Sequence, residues 1–249
     1  IQVAARFTPT YTKPMMREPD GRTHELNRLD IKNRGPLPPD SEAQIISSLR
    51  ALFRDASGIV VADQVQERNC GVVTDRVRAV LAELSAAYLD KPIVVDSRVR
   101  IGEFEGVSVK PNAQEACTAA ETGDPSSPDA VQAAGRALQQ RTGRPAFVTV
   151  GAEGVWVFAS SLAPPRDLYG GERGGEVTHV PGIRVPPPID VVGAGDSVMA
   201  GIAAALACGA TPLEAATIGN LVASITVQQI GTTGTATREQ VLERHKSTA

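Results

Sequence analysis

Residues 189–201 read IDVVGAGDSVMAG, and this stretch decides the fold that we expect for the chain. β-branched, apolar residues lead into two glycines around an alanine, and Asp196 follows at once. From about Gly195 to Ala207 the run of small residues predicts a helix. A helix that opens from a Gly-rich loop presents unpaired backbone N–H groups and a partial positive charge. The stretch therefore predicts an anion-binding helix N-terminus with a carboxylate in its first turn.

Outward from this stretch, short apolar runs and amphipathic segments alternate along the chain. The predicted strands are GIVVAD, PIVVDS, VSVKPN, AFVTVG and GVWVF, and the predicted helices are SEAQIISSLRALFRDA, VVTDRVRAVLAELSAAYLD, SPDAVQAAGRALQQRTG, TPLEAATIGNLVASITVQQIG and TREQVLERH. Ser41, Ser127 and Thr211 are the predicted N-caps, and Thr237 begins a Thr-x-x-Gln capping box. This alternation predicts βαβ units, and hence a parallel sheet with helices on both faces.

Two segments do not follow the alternation. Residues 1–34 are polar and rich in β-formers, and they read as strand, turn and strand with Asp20-Gly21 at the turn. GPLPPD then serves as a linker. Residues 160–188 are rich in proline and glycine, which predicts an irregular hairpin or loop.

Composition excludes several classes of function. The 249 residues carry a net charge of −3 and only 4% aromatic residues, which argues against binding to nucleic acid or to an anionic membrane. Cys70, Cys117 and Cys208 are widely spaced and form neither a disulfide framework nor a zinc site. We therefore expect a reducing, cytoplasmic setting. No apolar run reaches the roughly 18–20 residues of a membrane helix. The chain begins with Ile1, so we expect the native start to be missing or processed.

Polar residues end most of the predicted strands. In open α/β sheets, ligands bind beyond the carboxyl ends of the strands. A strand-ending aspartate is also a common helix cap, so each residue alone is a weak signal. The strand-ending residues are Asp63, Asp96, Lys110 with Asn112, Thr149 with Gly151, and the loop 193–196.

Known phosphate-binding and hydrolase motifs do not fit the chain. A dinucleotide fingerprint that starts at Gly193 needs a third glycine at position 198, where Val198 stands. The sequence also contains no Walker A loop and no G-x-S-x-G elbow. The three histidines have no ligand spacing. If a phosphate binds at this stretch, it does so through a loop other than these standard motifs, and Asp196 is either a catalytic group or a residue that stabilises the helix start.

Two further segments each allow two interpretations. In TVGAEGVWVF, Gly151 and Gly154 separate two apolar runs, either as a simple hairpin turn or as a backbone edge that approaches a nucleotide phosphate. In KPNAQEA, Asn112 and Glu115 have the spacing of a capping box. Alternatively, both side chains face phosphates and hold Mg²⁺ through water, because Mg²⁺ dehydrates reluctantly.

Together these motifs resemble a known family. DVVGAGDSVMAGIAAALACG resembles the C-terminal signature of the ribokinase-like, or PfkB, carbohydrate kinases. VSVKPNAQEA is similar to the family's N-x-x-E element, VTVGAEGVWVF to its nucleotide strand pair, and GNLVASITVQQIGTTG to its late adenine-flanking helix and loop. The resemblance covers most of residues 40–240. TKPMMRE, ELNRLDIK and KPNAQEA are most similar to the heptose-7-phosphate kinase branch.

The resemblance implies a three-layer α/β/α ribokinase-like fold with a mostly parallel central sheet and a small β lid. Residues 1–34 would be the remnant of the lid or clasp hairpin, and residues 35–249 the kinase core. The substrates would be ATP and a sugar or sugar phosphate, with Mg²⁺ as cofactor. Neither nucleic acid nor a membrane would be a partner, and a homodimer would form through residues 1–34.

The resemblance also implies roles for individual residues. Asp196 would be the catalytic base, and the backbone of Gly193, Ala194 and Gly195 would form the anion hole. Asn112 and Glu115 would lie at Mg²⁺ and the phosphates of ATP. Thr149, Gly151 and Gly154 would line the nucleotide. Asn220 and the loop 230–233, which includes Gly231, would lie by the adenine.

Two departures favour an alternative function. After Asp63, DQVQERNCG replaces the Tyr-x-Lys-Gly type of sequence expected in the heptose branch, so a lysine contact to a sugar phosphate is lacking. The first strands of the family, which carry sugar contacts, would precede Ile1. The alternative is a catalytically weak nucleotide-binding or regulatory module. A nicotinamide dehydrogenase is disfavoured by the failed fingerprint.

Overall fold

The computed structural model describes residues 1–4, 6–159 and 177–248. The strands are β1 Thr10–Thr12, β2 Met15–Arg17, β3 Thr23–Glu25, β4 Leu29–Ile31, β5 Ile59–Asp63, β6 Ile93–Ser97, β7 Ser108–Val109, β8 Ala146–Thr149, β9 Gly154–Phe158 and β10 Val177–Pro181. The helices are α1 Pro39–Asp55, α2 Asp75–Ala87, α3 Ala113–Ala120, α4 Pro128–Thr142, α5 Ala194–Ala207, α6 Pro212–Thr226 and α7 Arg238–Thr248. Short 3₁₀ turns occupy Ile101–Glu103 and Gly151–Glu153.

Six strands form the central sheet in the order β10-β9-β8-β7-β6-β5. The strands from β5 to β8 pair in parallel, and β9 and β10 continue the sheet in antiparallel fashion. The predicted, mostly parallel α/β sheet is thus confirmed. Part of the predicted irregular segment 160–188 is regular, because Val177–Pro181 is β10. The prediction for residues 160–176 lies outside the described residues.

Helices cover both faces of the sheet, as the alternation of strands and helices predicts. On β6, Ile93 and Val95 belong to one buried cluster with side chains of α1, α2 and α4, whereas Val94 belongs to another with α5 and α6. Neighbouring residues of a strand point to opposite faces, so a strand buried on both sides has to be apolar throughout. Each buried valine or isoleucine stabilises this arrangement by about 1.5–3 kcal/mol.

The helices α5 and α6 pack against each other through glycine. A Cβ on Gly201 would lie 2.8 Å from the Cα of Gly219, too close for any side chain. The contact brings the two backbones together and fixes the direction of α5. It therefore determines where the N-terminus of α5 meets the end of the sheet.

The described residues of 1–34 form two small sheets, one of which is the predicted hairpin. β1 pairs with β4 and β2 pairs with β3, both in antiparallel fashion. The predicted strand, turn and strand is confirmed for β2 and β3, which are joined by a turn at Asp20-Gly21. Pro14, which has no N–H for a ladder, separates this pair from β1 and β4. The guanidinium of Arg6 donates to the carbonyls of Gly35 and Pro36, both at 2.9 Å, and ties this segment to the linker.

Most predicted helix starts are confirmed, with one exception. Ser127 and Thr211 accept hydrogen bonds from the first turn of their helices, and Thr237 and Gln240 form the predicted capping box. Ser41 is not an N-cap. It lies inside α1, which begins at Pro39 because proline at the first helical position has its φ preset and needs no N–H partner. Within the described residues, no helix combines the length and the apolar character needed to span a membrane.

Candidate active site

The first turn of α5 lies at the carboxyl-end edge of the sheet and carries the predicted anion hole. Gly193 has a φ of 80°, a left-handed conformation that favours glycine, and Ala194 begins the helix. None of the described side chains caps α5. The N–H of Ala194 donates to the carbonyl of Val191 at 3.1 Å, so an anion would bind at the neighbouring N–H groups of Gly193 and Gly195. The side chain of Asp196 is exposed in the same turn, one residue after Gly195. Donors and carboxylate therefore share one accessible surface.

A second loop packs against the loop that opens α5. A Cβ on Gly193 would lie 2.8 Å from Cγ2 of Thr233. The carboxylate of Asp190 joins the two loops, since it accepts hydrogen bonds from the N–H groups of Val192 and Gly231, each at 3.0 Å. These bonds lower the pKa of Asp190 below its usual 3.8. Gly231 is thereby held close to the start of α5.

A cavity of about 540 Å³ opens beside this helix N-terminus. Its volume lies within the roughly 300–1,000 Å³ that is typical of small-molecule sites. Apolar side chains such as Val185, Val198 and Val227 line it together with backbone of glycines. The predicted site residues that line it are Thr149, Gly151, Gly154, Ala194, Gly195 and Asn220. Those outside its lining are Gly193, Asp196, Asn112, Glu115 and Gly231.

The glycine pair at the end of β8 forms a turn at the edge of this cavity. β8 and β9 pair in antiparallel fashion, which confirms the hairpin interpretation. Gly154 is required by packing, because a Cβ there would lie 2.2 Å from the carbonyl oxygen of Val180. Gly151 has a φ of 62° and faces open space. Its exposed backbone is accessible to a ligand in the cavity.

Thr149 and Asn220 hold neighbouring elements in place around the cavity. The N–H of Thr149 donates to the carbonyl of Pro111 at 3.0 Å, which ties β8 to the turn before α3. Asn220 is buried, and its Nδ2 donates to the carbonyls of Val180 at 3.2 Å and Pro181 at 3.0 Å. Asn220 thus anchors the end of β10 on α6. Both residues have a structural task in addition to any contact with a ligand.

Asn112 and Glu115 form the predicted capping box at the start of α3. Oδ1 of Asn112 accepts from the N–H of Glu115 at 2.8 Å, and Oε2 of Glu115 accepts from the N–H of Asn112 at 2.9 Å. Burial raises the pKa of Glu115 above its usual 4.5, and the charge of Asp96 adds to this rise. The hydrogen bond from Asn112 and the charge of Lys110 act in the opposite direction. Glu115 therefore lies in a partly buried position that disfavours its negative charge.

A buried ion pair lies under the same site. The ammonium of Lys110 is 3.0 Å from Oδ2 of Asp96, and it is also 3.7 Å from the position of a Cβ on Gly195. Both residues end parallel strands, and that signal was visible in the sequence. No local sequence motif predicted a function for Lys110 or Asp96, and none predicted one for Asp190. Their proximity to the start of α5 becomes visible only in the folded chain.

The chain is similar in sequence to a family of carbohydrate kinases and to several curated relatives. Residues 108–238 match the model of the pfkB family carbohydrate kinases. The protein named bifunctional protein HldE from Caulobacter sp. (strain K31) is 32% identical over 214 residues, which cover 84% of this chain and 39% of that protein. HldE from Citrifermentans bemidjiense is 30% identical over 222 residues, which cover 88% of this chain and 42% of that protein. The chain thus spans about two fifths of the length of these curated relatives.

Solved structures show the same fold. A ribokinase from Thermotoga maritima superposes with a TM-score of 0.64 at 17% identity, and the match covers 97% of this chain and 71% of that protein. A ribokinase from Arabidopsis thaliana, solved with ribose and ATP, gives a TM-score of 0.63 at 16% identity, with 94% of this chain and 70% of that protein covered. The expected ribokinase-like fold is confirmed. The family model matches more than half of the chain, and the identity to the curated relative from Caulobacter reaches 32%. The chain therefore belongs to the pfkB family of carbohydrate kinases.

Proposed function

We propose that the chain transfers the γ-phosphoryl group of ATP to a hydroxyl of a sugar or sugar phosphate. The observation that carries this proposal is the first turn of α5. There, the exposed carboxylate of Asp196 follows an uncapped helix N-terminus beside a cavity of about 540 Å³. A base and an anion-binding backbone in one turn are the two groups that transfer of a phosphoryl group to an alcohol requires.

Asp196 orients the acceptor hydroxyl and takes its proton as the new bond forms. The backbone of Gly193, Ala194 and Gly195 forms the proposed anion hole, in which the N–H groups of the two glycines stabilise the charge on the migrating phosphoryl group. Phosphoryl transfer has a loose transition state, so catalysis consists mainly of positioning and charge stabilisation. The left-handed Gly193 and the packing of its loop against Thr233 make this backbone rigid, as such a task demands.

The cavity is the proposed nucleotide site. Its apolar lining suits an adenine ring, and the exposed backbone at Gly151 lies on its edge. Thr149, Gly154 and Asn220 belong to the same lining, and Gly231 is tied to the start of α5 through Asp190. The proposed nucleotide would therefore extend from α6 to the N-terminus of α5.

Asn112 and Glu115 are the proposed Mg²⁺ residues, acting through water. Each uses one oxygen in the capping box, which leaves Oε1 of Glu115 without a hydrogen bond among the described residues. The described part of the chain contains no group of three or more His, Cys, Asp or Glu that would cage a metal. This donor set fits Mg²⁺, which keeps several waters and is bound through one or two carboxylates and the substrate phosphates. Bound there, it would neutralise part of the phosphate charge.

A coupled assay over a panel of sugars and sugar phosphates tests the proposal, with heptose 7-phosphate first because of the resemblance to that branch. Asp196→Asn is expected to lower kcat by at least about 10²-fold, the usual effect of losing a general base. Asp129→Asn is the matched control, because Asp129 lies in the first turn of α4. Near wild-type turnover in Asp196→Asn would overturn the mechanism. Binding of ATP without any acceptor-dependent turnover would favour the regulatory module.

Residues 1–34 are the proposed lid, and we propose that they also form a dimer interface. Large apolar side chains are exposed there, including Phe7 at 72%, Met15 at 58%, Leu29 at 62% and Ile31 at 53%. Apolar residues on short, isolated sheets gain stability when another surface covers them. Sedimentation should show a dimer that Leu29→Lys weakens. A wild-type protein that stays monomeric at micromolar concentration would contradict the proposal.

A further inference from the structure

Lys110 is a buried lysine close to the proposed anion hole. The residue is 2% exposed, and its backbone N–H is fixed by a bond of 2.8 Å to the carbonyl of Val95. Its ammonium lies 3.7 Å from the Cβ position of Gly195, in the first turn of α5. A lysine is rarely buried to this extent without a specific reason. Its position next to the proposed phosphoryl site suggests that its charge has a task there.

The position of the ammonium is electrostatically unusual. The N-terminus of a helix carries a partial positive charge, so a cation beside it is repelled. Asp96 is the only ion-pair partner of Lys110 among the described residues, at 3.0 Å. Asp96 compensates the ammonium, and Asp196 is the acidic residue in the first turn of α5. The ammonium of Lys110 and the backbone N–H groups at the start of α5 are nevertheless two sets of donors that one anion can contact together.

Lys110 also retains hydrogen-bonding capacity. An ammonium has three N–H donors, and in the described part of the chain its one ion-pair partner is the carboxylate of Asp96. Lys110 lies between two parts of the proposed site. Its charge acts on Glu115, and its ammonium is next to Gly195. A phosphoryl group bound at the N–H groups of α5 would come within reach of the ammonium.

We propose that Lys110 donates a hydrogen bond to the γ-phosphoryl group during its transfer, with Asp96 as the positioning residue that holds the ammonium. This inference rests on the proposed kinase function. In the step, the bond between the γ-phosphorus and the β,γ-bridging oxygen breaks and a bond to the acceptor oxygen forms. The hydroxyl proton goes to Asp196, and Lys110 stays protonated throughout. Its fixed charge stabilises the oxygens of the migrating group.

The first test compares nucleotide affinities by calorimetry. Lys110→Met keeps the length of the side chain and removes its charge. The affinity for a non-hydrolysable ATP analogue is expected to fall by about tenfold or more, and the affinity for ADP by less than twofold. Lys91→Met is the control, because Lys91 caps the C-terminus of α1 through the carbonyls of Phe53 and Arg54. It should leave both affinities unchanged. Equal losses for the two nucleotides in Lys110→Met would overturn the proposal.

The second test measures turnover with the acceptor that the wild-type protein uses. Lys110→Met is expected to lower kcat by about 10²–10³-fold, as the loss of one donor to a transition-state oxyanion does. Lys110→Arg should recover part of this loss. An unchanged kcat together with a lowered melting temperature would show that the lysine is merely structural.

A double variant keeps the question answerable if Lys110→Met fails to fold. Asp96→Leu with Lys110→Met removes both charges, and replacing a buried ion pair by apolar residues is often neutral or stabilising. We expect the melting temperature to recover while kcat remains low. Recovery of kcat as well would refute the proposal. Absence of turnover in the wild-type protein would refute the proposed kinase function instead, and the comparison of ATP analogue with ADP would still test Lys110.

Discussion

Gly193→Ala tests whether the backbone at the start of α5 is fixed by packing. The φ of 80° at Gly193 is strained for any residue with a side chain. The added Cβ would also lie 2.8 Å from Cγ2 of Thr233, closer than such atoms approach each other. The change therefore combines two separate costs, one in conformation and one in packing. Variants at two other positions of the chain allow the conformational cost and the packing cost to be measured separately.

The two costs have different sizes and different controls. A left-handed conformation costs an alanine about 1–2 kcal/mol, and forcing an extra carbon into a packed contact costs roughly 1–3 kcal/mol. Gly209 has a φ of 84° with no atom within 4 Å of its Cβ position, so Gly209→Ala reports the conformational cost alone. For a chain of this size, about 1 kcal/mol lowers the melting temperature by roughly 2–4 °C. Gly193→Ala should thus lower it clearly more than Gly209→Ala does.

A rescue variant identifies the packing partner. Thr233→Ser removes Cγ2, after which the remaining Thr233 atoms near the new Cβ lie at 3.8 and 3.9 Å, an ordinary contact. The double variant Gly193→Ala with Thr233→Ser should therefore melt at about the temperature of Gly209→Ala. Thermal unfolding followed by circular dichroism measures the melting temperatures of the wild-type protein and of these three variants. The reasoning is refuted if Gly193→Ala costs no more than Gly209→Ala, or if Thr233→Ser brings no recovery.

Three further predictions concern the surroundings of the site. In Asp190→Ala the N–H of Gly231 loses its acceptor, so the two loops at the start of α5 should shift. We expect kcat/KM to fall by about 10²-fold, the effect of misplacing reacting groups by about 1 Å. An unchanged kcat/KM would show that other contacts hold the loops. Gly201→Val should destabilise the chain by about 1–3 kcal/mol or more in chemical unfolding, whereas Ala200→Val at an exposed position of the same helix should change stability little. Because the pKa of Glu115 is raised in the folded state, its ionisation weakens the fold as pH rises from below 4.5 through that raised value. Glu115→Gln, which can keep the cap, should therefore become more stable relative to wild type over this rise, and a difference independent of pH would contradict the assignment.

The elements of the sheet and its helices were largely predictable from the sequence. Their signals are local, as in the cap at Thr211 or the apolar run of β6. The strand β10 was missed, because it lies within residues 160–188, whose proline and glycine content predicted an irregular hairpin or loop. The division of residues 1–34 into two sheets depends on Pro14 and on pairing between distant strands.

The parts of the site that are continuous in sequence were predictable for the same reason. Asn112 and Glu115 are three residues apart, and capping chemistry requires that spacing. The bond from Gly231 to Asp190 spans 41 residues, and nothing near either residue in the sequence indicates it. The approach of Lys110 to Gly195 depends on how α5 packs onto the sheet, which local patterns do not encode.

The distribution of polarity along the sheet locates the site without reference to any relative. At the amino ends of β5, β6 and β8 stand the apolar residues Ile59, Ile93 and Ala146. At the carboxyl ends, Asp63 accepts a hydrogen bond of 2.7 Å from Ser97, and Asp96 pairs with Lys110. Buried ion pairs add little net stability compared with apolar residues of similar volume, so the fold alone does not require them. Polar groups that folding does not require, gathered at the edge where open α/β sheets bind their ligands, are best explained by a ligand that needs them.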